Sequence, residues 1–460
     1  MNKDVTVGNM SGREIAVFRI SAFFSYFIGY IYLKYTIFSY DIGFKNRGFA
    51  IAGFAILFII WTEVFAYSAG FSYKKLKESS NSIVEPLIYI ACILLQSFSI
   101  AIQGAHSDWK IYQFLFWHFT IIYYVLARTG SFAAGKSGLF FLFDSFQGLF
   151  TIPLSNIFFR TISIFKKQEK KKDQKKDSVI ISRIKNISVR TVVILFISVL
   201  IAFLVCAYAF MQLANTSSTF EHLGNMFAFD IDRITGIFIM YLGRNFFREF
   251  RDNLMWFIAS VPISCWLFGL VGGGLRNRKP LCSDKEIEEK MQPLHQLPKL
   301  SAYIIIISVC LIYALFFATT VYDFTNHKGL FAETAHEASV RAVGSFWSLI
   351  KVVLLNFLIV AGSCFFSKKS LWDEKTTRIL ATVLFIFAFA FAMLAAYNLC
   401  GVYIALYGFT PRRILSSWVV FNVIIWCVLL MIRFYKKIPS SQYGIILAAV
   451  SFSVVVCGRF

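Results

Sequence analysis

Charge is scarce in this chain. Only 15% of its 460 residues are Asp, Glu, Lys or Arg, against about 25% in a soluble domain, while 58% are hydrophobic and the mean hydropathy is +0.65. A soluble fold cannot hide so much apolar surface, whereas a bilayer solvates it. Also missing are the ten-residue segments of alternating polar and apolar residues that a membrane β-barrel needs. Lipid cannot hydrogen-bond a backbone, which leaves a bundle of spanning helices of about 20 residues each. Paired cysteines are absent as well. The nine Cys occur singly, with no CxxC, and most sit inside apolar runs (Cys92, Cys206, Cys310, Cys400, Cys427). They read as small core residues, not as a disulfide or metal framework. The N-terminal MNKDVTVGNMSGRE is polar and carries no cleavable signal pattern, so the first spanning helix is the expected insertion signal.

Catalytic patterns are missing too. There is no Gly-x-Ser-x-Gly and no pair of catalytic carboxylates on a shared helix face, and Gly272-Gly273-Gly274 leads into basic residues, not into a phosphate-cradling helix. A zinc protease needs two imidazoles in a His-Glu-x-x-His arrangement or its inverse. The segment from Glu333 to Arg341 offers His336 alone, and its Glu333, Glu337 and Arg341 recur at the spacing of a surface ion-pair face. No metal and no cofactor is expected, and an enzyme is the less favoured class.

Among what is present, the 53 Phe stand beside many Ile, Lys and Asn. That reads as codon usage of an AT-rich bacterial genome in preference to an aromatic ligand cage. The net charge of +21 does not indicate nucleic acid as a partner, because the cations gather in loops on one side of the expected membrane. The fold class is therefore all-α, a polytopic transmembrane bundle of about eleven spans. Ten are read at 15–38, 49–71, 83–103, 111–127, 192–213, 302–321, 343–366, 379–407, 414–434 and 443–456, with a weaker one at 234–247. The basic loops 72–80, 166–176, 275–280, 367–369 and 435–437 alternate to one side, which the positive-inside rule assigns to the cytoplasm. The N-terminus is then cytoplasmic in a bacterial cytoplasmic membrane and the C-terminus outside. The run KKQEKKKDQKK at 166–176 is expected to lie along anionic lipids of the inner leaflet. Three regions follow: a four-helix part at 1–127, a repeat region with the polybasic loop at 128–300, and a C-terminal membrane region at 301–460.

Two segments do not read as ordinary spans. Residues 139–159 are interrupted by Gly148 and Pro153, and residues 253–274 by Pro262. Their centres correspond: Thr151-Ile152-Pro153-Leu154-Ser155 against Ser260-Val261-Pro262-Ile263-Ser264, with Asp144 and Asp252 ahead of them. At nearly the same offset, Arg233-x-x-Gly236-x-Phe238 recurs as Arg341-x-x-Gly344-x-Phe346. Together these read as a parallel internal repeat whose proline segments re-enter, or lie at, the cytoplasmic face. Proline frees a carbonyl one turn back, and short interrupted segments at matching positions of two repeats point to a transporter site. Thr151, Ser155, Ser260 and Ser264 are the hydroxyls expected to meet a ligand there, with Asp144 and Asp252 supplying charge.

Two further charges lie inside spans. Glu63 and Lys351 are expected to face the bundle interior, pair with one another or serve a proton- or substrate-linked role, with snorkelling as the alternative for Lys351. Arg412 and Arg413 fall on the outer side against the positive-inside tendency, which suggests an anion, a lipid phosphate or an acidic partner. Gly408 permits a tight turn there, Thr410 is expected to cap the next helix, and Pro411 suits its first position.

The stretch at about 322–435 resembles the bacterial membrane proteins grouped as domain of unknown function 4153 and its relative 4173. The resemblance rests on Arg341-Ala-Val-Gly344-Ser-Phe346, on Asn356, and on Tyr403-x-x-x-Tyr407-Gly408-Phe409-Thr410-Pro411-Arg412. Phe409 stands where the family pattern has Leu, and Asn398-Leu399 where an Arg is expected. The resemblance implies a polytopic bacterial membrane protein and supplies no activity, cofactor or catalytic residue. The preferred reading of function is a permease for a small polar or cationic solute. The alternatives are a membrane-embedded sensor or assembly partner working through the basic loops, and an enzyme acting on lipid-linked substrates.

Overall fold

The computed structural model describes residues 12–37, 45–79, 83–104, 110–138, 140–165, 244–276, 299–325, 335–366 and 374–458. Among them every regular element is a helix. Among the described residues ten helical stretches are long and apolar enough to cross a membrane, so the chain is a multi-pass membrane protein. Eight of the spans read in sequence fall on these helices, and the span at 111–127 falls on the 20-residue helix Lys110–Thr129. The span at 192–213, most of that at 234–247, the lysine run at 166–176, and Arg233 and Gly236 lie outside the described residues.

The chain divides into two compact units. The first is Met1–Asp41, Ile60–Ala69 and Leu149–Arg276. Its helices are α1 (Gly12–Ile31), the last part of α2 (Lys45–Ser68), and then, numbered in chain order, α7 (Ile152–Ser155), α8 (Phe159–Phe165) and α9 (Arg244–Arg276). Its centre is aromatic: the Phe18 ring lies 4.9 Å from that of Phe65, 5.5 Å from Phe159 and 6.5 Å from Phe268.

The two proline segments, expected to share a form, differ in it. The first is broken into α6 (Phe141–Phe146), a π-helical turn (Gln147–Thr151), α7 and α8. The second lies within one continuous 33-residue helix, α9, that runs through Pro262. Pro262 is exposed while Pro153 is buried. An interior proline is tolerated in lipid where Ser hydroxyls support the neighbouring turns, and here the Ser260 hydroxyl donates to Trp256 O at 2.5 Å and Ser264 to Val261 O at 2.7 Å. The small residues that follow let α9 approach α7: a Cβ on Gly269 would lie 2.6 Å from Pro153 O. We expect Gly269→Ala to destabilise the protein by about 1–3 kcal/mol, because the listener to that methyl is backbone that cannot rotate away. The change is measured as the unfolding temperature in detergent, with Gly53→Ala, where a Cβ meets nothing within 4 Å, as the neutral control.

The second unit is Ile42–Ile59, Gly70–Gly148 and Asn277–Phe460. It holds α3 (Tyr73–Ser79), α4 (Val84–Gln103), α5 (Lys110–Thr129), α6, α10 (Lys299–Thr325), α11 (Ala335–Phe366) and α12 (Lys375–Ala396). A π-helical segment (Tyr397–Ile404), α13 (Ala405–Tyr407), α14 (Pro411–Tyr435) and α15 (Ser440–Cys457) complete it. Helices α4 and α15 are joined by a ladder of side-chain hydrogen bonds. Gln442 reaches Glu85 at 2.9 Å, Gln96 reaches Ser453 at 2.9 Å, and Ser99 donates to Val456 O at 3.2 Å. The offset along the chain stays at 357 through all three, so the two helices run side by side in the same direction.

Candidate functional site

The site begins where α5 ends. Gly130 takes φ +67°, its N–H reaches Ala127 O at 3.3 Å, and the Ser131 N–H reaches Leu126 O at 2.9 Å. This pair of bonds caps the helix with glycine in the left-handed region, where a side chain would be strained. The chain then runs through a compact segment to Gly138, with a second positive-φ glycine at Gly135, before α6 starts. Arg128, only 1% exposed, anchors this corner: its Nη1 donates to Phe71 O at 3.0 Å and its guanidinium lies 4.4 Å from the Tyr73 ring centroid.

Beneath that segment lie two buried carboxylates. Glu85 sits in the first turn of α4, where Pro86 forfeits no helical hydrogen bond and an acid suits the helix dipole. It is 3% exposed and accepts from the Ser137 hydroxyl, from Gln442 Nε2 at 2.9 Å and from Tyr89 OH at 3.4 Å. Asp144 on α6 is fully buried. Its Oδ1 accepts the Ala133 N–H at 2.8 Å, and its Oδ2 has no hydrogen-bond partner among the described residues. One turn on, Gln147 donates through Nε2 to Ser131 O at 2.8 Å, and its Oε1 is likewise without a donor. The Ser131 carbonyl accepts only, so the amide cannot be turned round. Tyr123 and Tyr89 bring the two halves together, their ring centroids 5.9 Å apart, and the Tyr123 hydroxyl donates to Phe141 O at 2.9 Å. The result is a closed polar cluster with two buried acceptor oxygens, one on a carboxylate, that lack a hydrogen.

The other residues read from sequence are placed differently. Thr151 and Ser155 are exposed, and the Ser155 hydroxyl donates to Ile152 O at 3.2 Å. Ser260 and Ser264 are buried, with their hydroxyls bonded to carbonyls of α9 itself. These hydroxyls belong to the first unit and Asp144 to the second. Asp252 is on α9, its side chain outside the described set, and the Arg341 side chain is likewise not described. Gly344 stands in open space on α11 and meets no steric demand for glycine. Glu63 is half-buried in the first unit, and Lys351 is exposed in the second. Thr410 occupies the N-cap position of α14 with extended backbone, as expected, but its side chain makes no capping bond. Instead Pro411 opens the helix and the Thr410 carbonyl accepts Ile414 N–H at 3.0 Å. Gly408 makes the turn at φ +73°.

A model of the family described as "Domain of unknown function (DUF4153)" matches residues 90–458. The chain belongs to that family. No curated protein and no solved structure matches it. The DUF4153 match corrects the extent read from sequence, which was confined to the C-terminal third. It takes in Ser137, Asp144, Gln147 and Gln442, and begins just after Glu85 and Tyr89.

Proposed function

We propose that the protein is a carrier for a small cation and that Asp144 is where the cation binds. The observation that supports this most is the orphaned pair of oxygens, Asp144 Oδ2 and Gln147 Oε1, inside a bundle of membrane-spanning helices. An isolated carboxylate is costly in such surroundings unless something neutralises it. A cation lying against Oδ2 supplies the missing charge, and Gln147 Oε1 is a second oxygen of the type that hard cations take. Intramembrane ionisable residues with this burial mark ion and proton pathways in membrane proteins. The segment 130–138 covers the site, and its two left-handed glycines, Gly130 and Gly135, give it backbone freedom to move aside.

The test is flux through the full-length protein in sealed vesicles, with sodium, potassium and protons each driven by an imposed gradient. We expect at least one to move, and Asp144→Asn to slow that movement by about tenfold or more, while Ser145→Ala leaves it within about twofold. Equal flux in Asp144→Asn and the parent, or no movement of any of the three, overturns the reading.

A further inference from the structure

A second site lies in the other half of the same unit and is independent of the carboxylate cluster. The two stretches that carry the family resemblance, at 341–346 and 403–412, are some 60 residues apart in sequence. They converge on one cleft of about 190 Å³ between α11, the π-helical segment and the start of α14. Its inner wall is apolar, built from Ala342, Phe346 and Leu399, all buried. Its rim is polar, with Thr410, Arg412 and Ser416.

The two arginines at this rim do different things. Arg413 is committed to the fold: Nη1 donates to Tyr407 O at 2.8 Å and to Gly408 O at 2.5 Å, and the guanidinium stacks 4.3 Å from the Tyr403 ring centroid. It pins the Gly408 turn and closes one side of the cleft. Arg412 is exposed and makes no side-chain hydrogen bond or ion pair with any described residue. The Thr410 hydroxyl, which does not cap its helix, is free beside it. The eight-residue π-helical run that carries Leu399 and Tyr403 is costly in ordinary helices and recurs at functional sites. Here it supplies one wall of the cleft.

We infer that this cleft binds a phosphate ester, with Arg412 and the Thr410 hydroxyl on the phosphate oxygens and the ester carbons against Phe346 and Leu399. A guanidinium fork matches phosphate oxygens in a way a lysine does not. The volume equals about six water molecules at ~30 Å³ each, which suits a small headgroup and excludes acyl chains. Trp347 and Phe409, 53% and 74% exposed beside the cleft mouth and on the adjoining turn, offer the apolar surface along which such chains continue. Aromatic residues of this kind concentrate at the level of lipid headgroups.

The experiment uses the full-length protein in maltoside micelles, which contain no phosphate, and two probes. Phosphatidylglycerol tests the membrane as source, and glycerol phosphate tests a soluble ester. Binding is read by native mass spectrometry and by titration. We expect saturable binding of phosphatidylglycerol that Arg412→Gln weakens about tenfold or more, Arg412→Lys weakens less, and Lys437→Gln, an exposed cation beyond the far end of α14, leaves unchanged. Glycerol phosphate bound with the same dependence on Arg412 assigns the site to soluble esters. Should Arg412→Gln fail to fold, Thr410→Val replaces it, with an expected loss of about threefold. Binding of neither probe, undiminished binding in the cleft variants, or an equal loss in Lys437→Gln overturns the inference.

Discussion

Asp144→Asn is expected to give a protein that unfolds at a higher temperature than the parent although it no longer carries its cation. The new side chain keeps an oxygen for the Ala133 N–H, which the carboxylate now holds at 2.8 Å. In place of the orphaned Oδ2 it presents a neutral amide, so the buried charge that no described residue neutralises is gone. Removing an unpaired buried carboxylate is expected to contribute about 1 kcal/mol or more. The measurement is thermal unfolding in detergent without added cation, followed by the same series with the transported ion present. Ion should stabilise the parent and leave Asp144→Asn unmoved, because only binding to the folded state raises stability by mass action. A variant that unfolds at lower temperature, or a parent that gains nothing from any ion, would show that the cluster is structural. Binding sites commonly hold this kind of unfavourable arrangement, which a ligand relieves.

Glu85→Ala should have the opposite effect and a larger one. Three donors converge on this carboxylate: the Ser137 hydroxyl, the Gln442 amide and the Tyr89 hydroxyl. The serine and tyrosine hydroxyls lie 3.4 Å from one another and can turn to compensate in part. The Gln442 amide, 7% exposed, cannot. Each buried donor left without an acceptor costs about 1–3 kcal/mol, and the cavity left behind adds to that, so we expect a loss of about 3 kcal/mol or more. Glu85→Gln retains one acceptor oxygen and should fall between. Unfolding temperatures in that order, parent above Gln above Ala, are the expected result. Coincident melting of all three would mean that the Glu85–Gln442 contact contributes nothing to holding α15 against α4.

The helices of this protein were legible because a bilayer demands long apolar runs, and such runs are visible in one dimension. Asp144 was legible for a related reason, as an acid standing just ahead of an apolar segment broken by Gly148 and Pro153. Glu85 was not. It opens an apolar span beside a proline, where a carboxylate is unremarked, and two of its partners lie 52 and 357 residues away. The signal that might have drawn attention to it is its i, i+4 spacing to Tyr89 with Gln96 further along the same helix, which is an unusual density of polar groups in one span. Pro262 misled in the other direction. Proline is costly inside a soluble helix, but the hydroxyls of Ser260 and Ser264 bond within α9 and the helix continues. The role of Thr410 was misread because residue type and position both suit a cap, whereas the bonding does not follow them.

The constant offset between α4 and α15 imposes a parity rule on the chain's path. Two neighbours that cross a bilayer in the same sense must be separated by an odd number of passages. Five of the spans read from sequence lie between them on described helices, at 111–127, 302–321, 343–366, 379–407 and 414–434, and five is odd. The passages made by the rest of the intervening chain, with the proline-bearing segments at 141–165 and 254–276 both long and apolar enough to be among them, must therefore total an even number. Reporters fused after each of the two proline-bearing segments read how that even number is made up.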